Sequence, residues 1–255
     1  MEERWRLLDL YVADAYTQMA MDEAILKAVS EGKSPNTIRL YRWKPSAVSI
    51  GYFQSVEEEV DLEACRRLGV DVVRRITGGG AVYHDYNGEI TYSLIAPESD
   101  PRIPRDIPES YGVICNCLIK ALRHLGLEAE FRPINDILIG GRKVSGNAQT
   151  RRRGVVLQHG TILIDCDVKR MFTVLKVSEE KMRDKLIKAV EERVTSLRRE
   201  LGRPVSFMEV RDALVDGFEE GLKIELESGE PSEHELKLME ELRERYRSRE
   251  WLFLR

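Results

Sequence analysis

No stretch of this 255-residue chain approaches the roughly 20 consecutive apolar residues that a membrane-spanning helix needs, and its start, Met1-Glu-Glu-Arg-Trp-Arg, is charged. Nothing resembles a signal peptide or a membrane span, and a cytoplasmic location is expected. Cysteine is scarce: Cys65, Cys115, Cys117 and Cys166 lack metal-ligand spacing and form no disulfide framework, which suits a reducing compartment. Cys115-Asn-Cys on an apolar helix reads as core packing. A net charge of -4 gives no general reason to expect a nucleic-acid partner, despite the basic run Arg151-Arg-Arg. No P-loop and no convincing Ser/His/Asp pattern is present. What remains is a 42% hydrophobic, 33% charged chain, poor in Asn and Gln and so leaning thermophilic, long enough to bury one large core or one core with a small extension.

Two clusters carry chemistry. In the first, Arg74-Arg-Ile-Thr-Gly-Gly-Gly-Ala-Val-Tyr-His-Asp, Gly78, Gly79 and Gly80 remove Cβ atoms where a ligand meets backbone, and Arg74 and Arg75 can supply guanidinium donors to a carboxylate or phosphate. Three glycines also make a flexible loop or a bulged hairpin. In the second, Asn135-Asp-Ile-Leu-Ile-Gly-Gly-Arg-Lys-Val-Ser-Gly-Asn-Ala, Gly140-Gly141 signals a hairpin that places Asn135, Lys143, Ser145 and Asn147 on or beside paired strands. Alternation by two then puts Lys143 and Ser145 on one face, with Gly146 and Ala148 leaving room for a ligand. A strand lysine is ordinarily a solvated edge residue; the small and amide neighbours argue against that here.

Together with His159-Gly-Thr-Ile-Leu, these motifs resemble the lipoate-protein ligases of the wider biotin/lipoate ligase and octanoyltransferase superfamily. The likeness extends from Tyr16-Thr-Gln-Met-Ala-Met-Asp-Glu-Ala through Arg193-Val-Thr-Ser-Leu to Ser248-Arg-Glu-Trp-Leu-Phe, nearly the whole chain. It implies an α/β fold of mixed, largely antiparallel sheets flanked by helices. The reaction implied is activation of lipoate by ATP to lipoyl-AMP, then transfer to a lysine of a lipoyl domain from a 2-oxo acid dehydrogenase or of the glycine-cleavage carrier protein. By resemblance Lys143 is the catalytic lysine, so Lys143→Ala should abolish turnover but not folding. The adenylate would meet Arg75, Gly80, Ala81, Val82, Tyr83, Asn135, Asp136, Lys143 and Ser145. Lipoate would meet Arg75, Gly78, Gly79, His84, Lys143 and His159, and Asp136 would help hold magnesium. Val82, Ile50 and Leu40 are expected in the apolar acyl pocket, and for His84 and His159 a purely structural, hydrogen-bonded role competes.

The chain stops at Arg255, just after Trp251-Leu-Phe, so the resemblance implies a single catalytic domain over 1–255, helical from about 167 onward. The C-terminal accessory domain of full-length ligases would come from a small separate subunit. The alternative within the superfamily is an octanoyltransferase drawing on octanoyl-acyl carrier protein through a cysteine nucleophile. That cysteine is expected either just before the Asn-Asp loop, where Phe131-Arg-Pro-Ile stands, or in a later loop, where Val174-Leu-Lys-Val-Ser stands; neither has one, and Cys166 is the remaining candidate. A non-catalytic lipoyl-binding subunit is the third reading, opposed by the intact lysine and glycine clusters.

Periodicity predicts strands at Leu7–Leu10, Thr37–Trp43, Ala47–Tyr52, Val70–Ile76, Glu89–Ile95 and Val155–Ile164. It predicts helices at Tyr16–Val29, Asp61–Leu68, Ser110–Leu125, 167–190 and 206–222, with Leu175, Met182, Leu186 and Val190 inward. A last helix should begin at a Ser232 capping box. The Pro-rich 97–108 segment reads as a connector rather than a lid. Arg151 to Arg153 should decorate a hairpin turn, either solvated or docking an acidic acceptor domain.

Overall fold

The computed structural model describes residues 3–176 and 183–255. In chain order its elements are β1 (Glu3–Ala13), α1 (Ala15–Ser30), β2 (Thr37–Trp43), β3 (Ala47–Ile50), α2 (Val56–Glu59), α3 (Leu62–Leu68), β4 (Asp71–Arg74), β5 (Val82–His84), β6 (Glu89–Pro97) and α4 (Ile107–His124). Then follow β7 (Glu130–Arg132), β8 (Asp136–Ile139), β9 (Arg142–Arg152), β10 (Val155–Leu163), α5 (Val168–Val174), α6 (Arg183–Arg193), α7 (Leu197–Leu201), α8 (Phe207–Leu222), β11 (Ile224–Ser228), α9 (Glu233–Arg247) and α10 (Arg249–Leu252). Eight strands form one sheet in the order β11-β1-β2-β6-β10-β9-β8-β7, and β4-β3-β5 form a second. Among the strands of the described residues, only the β1 pairings with β2 and β11 and the β3–β4 pairing are parallel, so the expected mixed, largely antiparallel α/β architecture is present.

Both faces of the large sheet are covered, which is why β6 is buried along almost its whole length and reads as continuous rather than alternating. The period of two still sorts its side chains. Ile90, Tyr92 and Leu94 join the core with Leu118 of α4 and Phe218 of α8. Ile95 instead joins Tyr41, Leu157 and the α1 residues Met21 and Ile25, with Leu242 of α9 behind them. Helix starts follow side-chain capping: Asp14, Asp61, Asp106 and Ser206 each accept an N–H from the first turn, and Ser232 with Glu235 forms the reciprocal capping box that the sequence predicts.

Three expectations need correction. The C-terminal third is not purely helical: β11 pairs in parallel with β1 through Glu3↔Ile224 to Leu7↔Ser228, so it completes the large sheet. Its Glu-Leu-Glu-Ser alternation was hidden by charge on an edge strand. The helix expected over 167–190 is interrupted, with α5 ending at Val174 and α6 beginning at Arg183; Met182 and the side chain of Leu186 lie outside the described residues. Of the basic run, only Arg153 sits at the turn, where it and Gly154 have φ of 55° and 73°. Arg151 belongs to β9 and donates to the carbonyls of Pro104 (2.8 Å) and Arg105 (2.7 Å), tying the Pro-rich connector to the sheet.

Candidate active site

The two glycine-bearing clusters meet because β3 and β5, on the small sheet, face β9 and β10 of the large one. Between them lies a cavity of about 390 Å³, within the size range of small-molecule sites. Arg75, Gly79, Gly80, Ala81, Val82, Tyr83 and His84 line one side, and Asn135, Lys143, Gly146, Asn147 and His159 the other. Met19, Trp43, Met171 and Val190 give it an apolar portion. Of the aliphatic residues expected there, Val82 is on the wall, whereas Ile50 and Leu40 are fully buried within hydrophobic clusters.

Arg75 is a structural hub rather than a free donor. Its Nε donates to Thr77 Oγ1 (3.1 Å), Nη1 to Ser49 O and Oγ (3.0 and 3.1 Å), and Nη2 to Gly78 O and Gly80 O (2.7 and 2.8 Å). Burial pulls its pKa down to about 10. Gly78 is therefore held by its carbonyl and does not line the cavity. Arg74 is likewise engaged, by the carbonyls of Gly51, Tyr52, Gln54, Trp251 and Leu252, which anchor α10.

Two parallel relays leave Arg75. Ser49 Oγ lies 2.8 Å from His84 Nε2, and His84 Nδ1 lies 2.6 Å from Glu89 Oε1. Thr77 Oγ1 lies 2.7 Å from His159 Nε2, and His159 Nδ1 lies 3.1 Å from Asp22 Oδ2. An Nδ1–H donated to each carboxylate, with each hydroxyl donating to Nε2, is an arrangement that satisfies both ring nitrogens and the hydroxyl in each relay. Burial pushes the His159 pKa down, partly opposed by Asp22. For Asp22 burial acts upward, but Arg39, then His159 and Ser93, outweigh it and hold the carboxyl below its usual range. Trp43 stacks on His84 with centroids 4.0 Å apart.

On the opposite wall Asn135 and Asn147 bond reciprocally: Asn135 Nδ2 donates to Asn147 O (2.6 Å) and Asn147 Nδ2 to Asn135 O (2.9 Å). Lys143 Nζ pairs with Asp136 Oδ1 at 2.6 Å, both side chains roughly a third exposed. A register shift between Ile137 and Leu138 breaks the expected alternation: Ser145 is fully buried, accepts from Asn147 Nδ2 (3.3 Å), and is off the cavity wall. Gly146 leaves room for the lysine, since a Cβ there would lie 2.9 Å from Lys143 Cε and Nζ and would push that flexible end aside. With its carboxylate on Lys143, Asp136 gathers no ligand set, and among the described residues no group of three or more His, Cys, Asp and Glu could hold a metal ion. The magnesium expectation thus gains no support.

Sequence reading missed the acidic end of the cavity. Glu89, Asp85, Asp165 and Asp167 line it together with Cys166. Cys65, Cys115 and Cys117 are buried elsewhere, and Val177 and Ser178 of the second expected nucleophile position lie outside the described residues. Burial, then Asp165 and Asp167, push the Cys166 thiol up to about 11. The available signal was Asp85, Glu89 and the Asp165-Cys-Asp triplet flanking strand ends; their convergence depends on the β6–β10 register, with Leu163 opposite Glu89.

A mixed eight-stranded sheet and a three-stranded sheet thus enclose a cavity of about 390 Å³ with Lys143 on its wall. Residues 14–219 match the model of the lipoyl protein ligase A/B catalytic domain, and the chain belongs to that family. It is 42% identical to the octanoyltransferase LipM of Kyrpidia tusciae over 98% of each chain. Its fold superposes with a TM-score of 0.89 on a bi-partite lipoate protein ligase from Thermoplasma acidophilum, at 36% identity over 98% of this chain and 96% of that one. A lipoate-protein ligase A bound with ATP superposes at 0.82, with 34% identity over 99% of both chains. The expected assignment as an ATP-dependent lipoate-protein ligase is corrected by the curated relatives: four that are 37 to 42% identical over 98 to 100% of this chain are named octanoyltransferases. This chain is similar over nearly its full length to proteins named for both activities, so likeness to the superfamily did not by itself fix the acyl donor.

Proposed function

We propose that this chain is an acyltransferase of protein lipoylation that moves an octanoyl group from a carrier thioester to a lysine of a lipoyl domain. The observation that carries the reading is the full-length similarity to octanoyltransferases. The cavity suits a medium acyl chain, with Met19, Val82, Met171 and Val190 offering apolar contact and Lys143 a cation for the carbonyl oxygen. Cys166 is the only cysteine on its wall among the described residues, and we assign it the covalent acyl-thioester step. The thiol is neutral at rest, so a neighbouring carboxylate takes its proton as it attacks. The donor arrives activated; neither ATP, magnesium nor free lipoate enters this scheme, and no separately encoded accessory protein is needed. Four unpaired cysteines suit a reducing cytoplasm, and no helix among the described residues is long and apolar enough to cross a membrane.

The test is intact mass of an apo lipoyl domain incubated with octanoyl-acyl carrier protein and the wild type, Lys143→Ala or Cys166→Ala. One octanoyl group added by the wild type alone supports the scheme. Transfer that survives Cys166→Ala removes the covalent step, and modification that requires ATP and lipoate overturns the reading.

A further inference from the structure

Glu89 is 1% exposed and lines the cavity. Its Oε1 accepts from His84 Nδ1 (2.6 Å) and Thr91 Oγ1 (2.9 Å), and Thr91 in turn accepts from Trp43 Nε1 (2.7 Å), so the carboxylate is fixed in place. Its Oε2 is buried and, among the described residues, has no hydrogen-bond partner. A carboxylate oxygen out of water without a donor is costly, and such an orphan beside a cavity marks where a ligand's donor belongs. The surroundings specify that donor's charge: Asp85, Asp165 and Asp167 line the same cavity beside Cys166. An octanoyl chain offers no N–H or O–H. Of the proposed reactants, the group with both a positive charge and hydrogens to give is the acceptor's lysine.

We propose that the acidic end of the cavity is the entry for the acceptor lysine and that Glu89 is the catalytic residue that receives its nitrogen and takes its proton. This rests on the acyltransfer reading above. The ammonium is drawn in by Asp85 and Asp167, Asp165 being paired with Arg198 at 2.8 Å, and it gives up one proton to solvent before attack. The neutral amine then attacks the thioester carbonyl, the C–N bond forms as the C–S bond breaks, and the proton leaving nitrogen passes to Glu89 Oε2 and on to the departing thiolate. No other reactant is consumed. The hydrogen bonds from His84 and Thr91 keep Oε1 occupied, which leaves Oε2 as the basic atom.

Two measurements on Glu89→Gln test this, with Glu89→Asp as the variant that keeps the anion. In the first, wild type should bind a lipoyl domain about tenfold more tightly than the same domain with its target lysine replaced by methionine, and Glu89→Gln should erase that preference. In the second, Glu89→Gln should transfer octanoyl to the domain at least about 100-fold more slowly, while Glu89→Asp, which keeps the base, should retain a far larger share of the rate. A lysine preference that persists in Glu89→Gln, or equal losses of transfer rate in Glu89→Gln and Glu89→Asp, overturns the proposal. If wild type takes no acyl group from the thioester, the acyltransfer reading fails while the binding comparison still decides whether Glu89 receives the lysine.

Discussion

Replacing Arg75 by lysine keeps a cation but removes a fork, and the structure lets the two contributions be separated. The guanidinium makes five hydrogen bonds at 2.7 to 3.1 Å to Thr77, to Ser49 twice, and to the carbonyls of Gly78 and Gly80. An ammonium has three N–H groups, so at least two acceptors lose their donor in a site where the arginine is only 4% exposed. At about 1 to 3 kcal/mol for each unsatisfied buried group, Arg75→Lys should cost about 2 to 6 kcal/mol, a large share of the roughly 5 to 15 kcal/mol that holds a typical domain together. Arg75→Met removes all five bonds and the charge and should cost more. Urea unfolding with the slope checked for constancy measures both. If Arg75→Lys lies within 1 kcal/mol of wild type while Arg75→Met does not, charge alone does the holding and the fork argument is wrong.

Gly146→Ala should leave unfolding within about 1 kcal/mol, since its Cβ meets only the mobile end of Lys143 at 2.9 Å, but should lower kcat/KM by pushing that ammonium aside. Gly51→Ala meets something less forgiving, the carbonyl oxygen of Gly79 at 2.0 Å, and should cost about 1 to 3 kcal/mol as the glycine loop shifts; a thermal melt checks it. Acid should destabilise the fold in two stages. His159 is depressed below its ordinary 6.5, so its contribution is complete above that pH and shrinks as pH falls, by at most about 1.4 kcal/mol per unit, until the folded-state value is reached. Asp22 is depressed below 3.8, so its contribution is present above that pH and is lost as pH falls through its folded value. His159→Gln should flatten the upper stage, read from unfolding free energy between pH 7 and 5, and should also shrink the lower one, because His159 is among the groups that hold Asp22 down.

The parts of the site within one or two neighbouring strands were legible. Gly140-Gly141 announced the β8–β9 hairpin, and with it Lys143, Asn135 and Asn147 near a cavity; the glycine run announced the opposing wall. Alternation failed at Ser145 because a one-residue register shift is local geometry that side-chain pattern does not encode. The relays were invisible for another reason: Asp22 and His159 are 137 positions apart, joined only when α1 packs across β10. A clue existed in Asp22-Glu23, two acids within a helix whose other neighbours are apolar, since a buried acid is a more telling sign than an exposed one. Arg75 was read as a ligand donor because sequence gives the group but not the acceptors already waiting for it.

The acceptors already held by Arg75 favour Lys143 as the cation we propose for the substrate. An incoming acyl carbonyl that recruited Arg75 would have to displace Ser49, Thr77 or a glycine carbonyl and leave it buried without a donor, at about 1 to 3 kcal/mol for each bond given up. Lys143 faces a smaller demand. Its partner Asp136 is partly exposed and can turn to water, and ion pairs of that kind contribute about 0 to 1 kcal/mol. The exchange of Asp136 for a carbonyl oxygen is therefore nearly free, and it becomes favourable as negative charge grows on that oxygen during attack. Arg75 holds the glycine loop, and Lys143, kept unobstructed by the missing Cβ of Gly146, is the cation we propose for the reacting group.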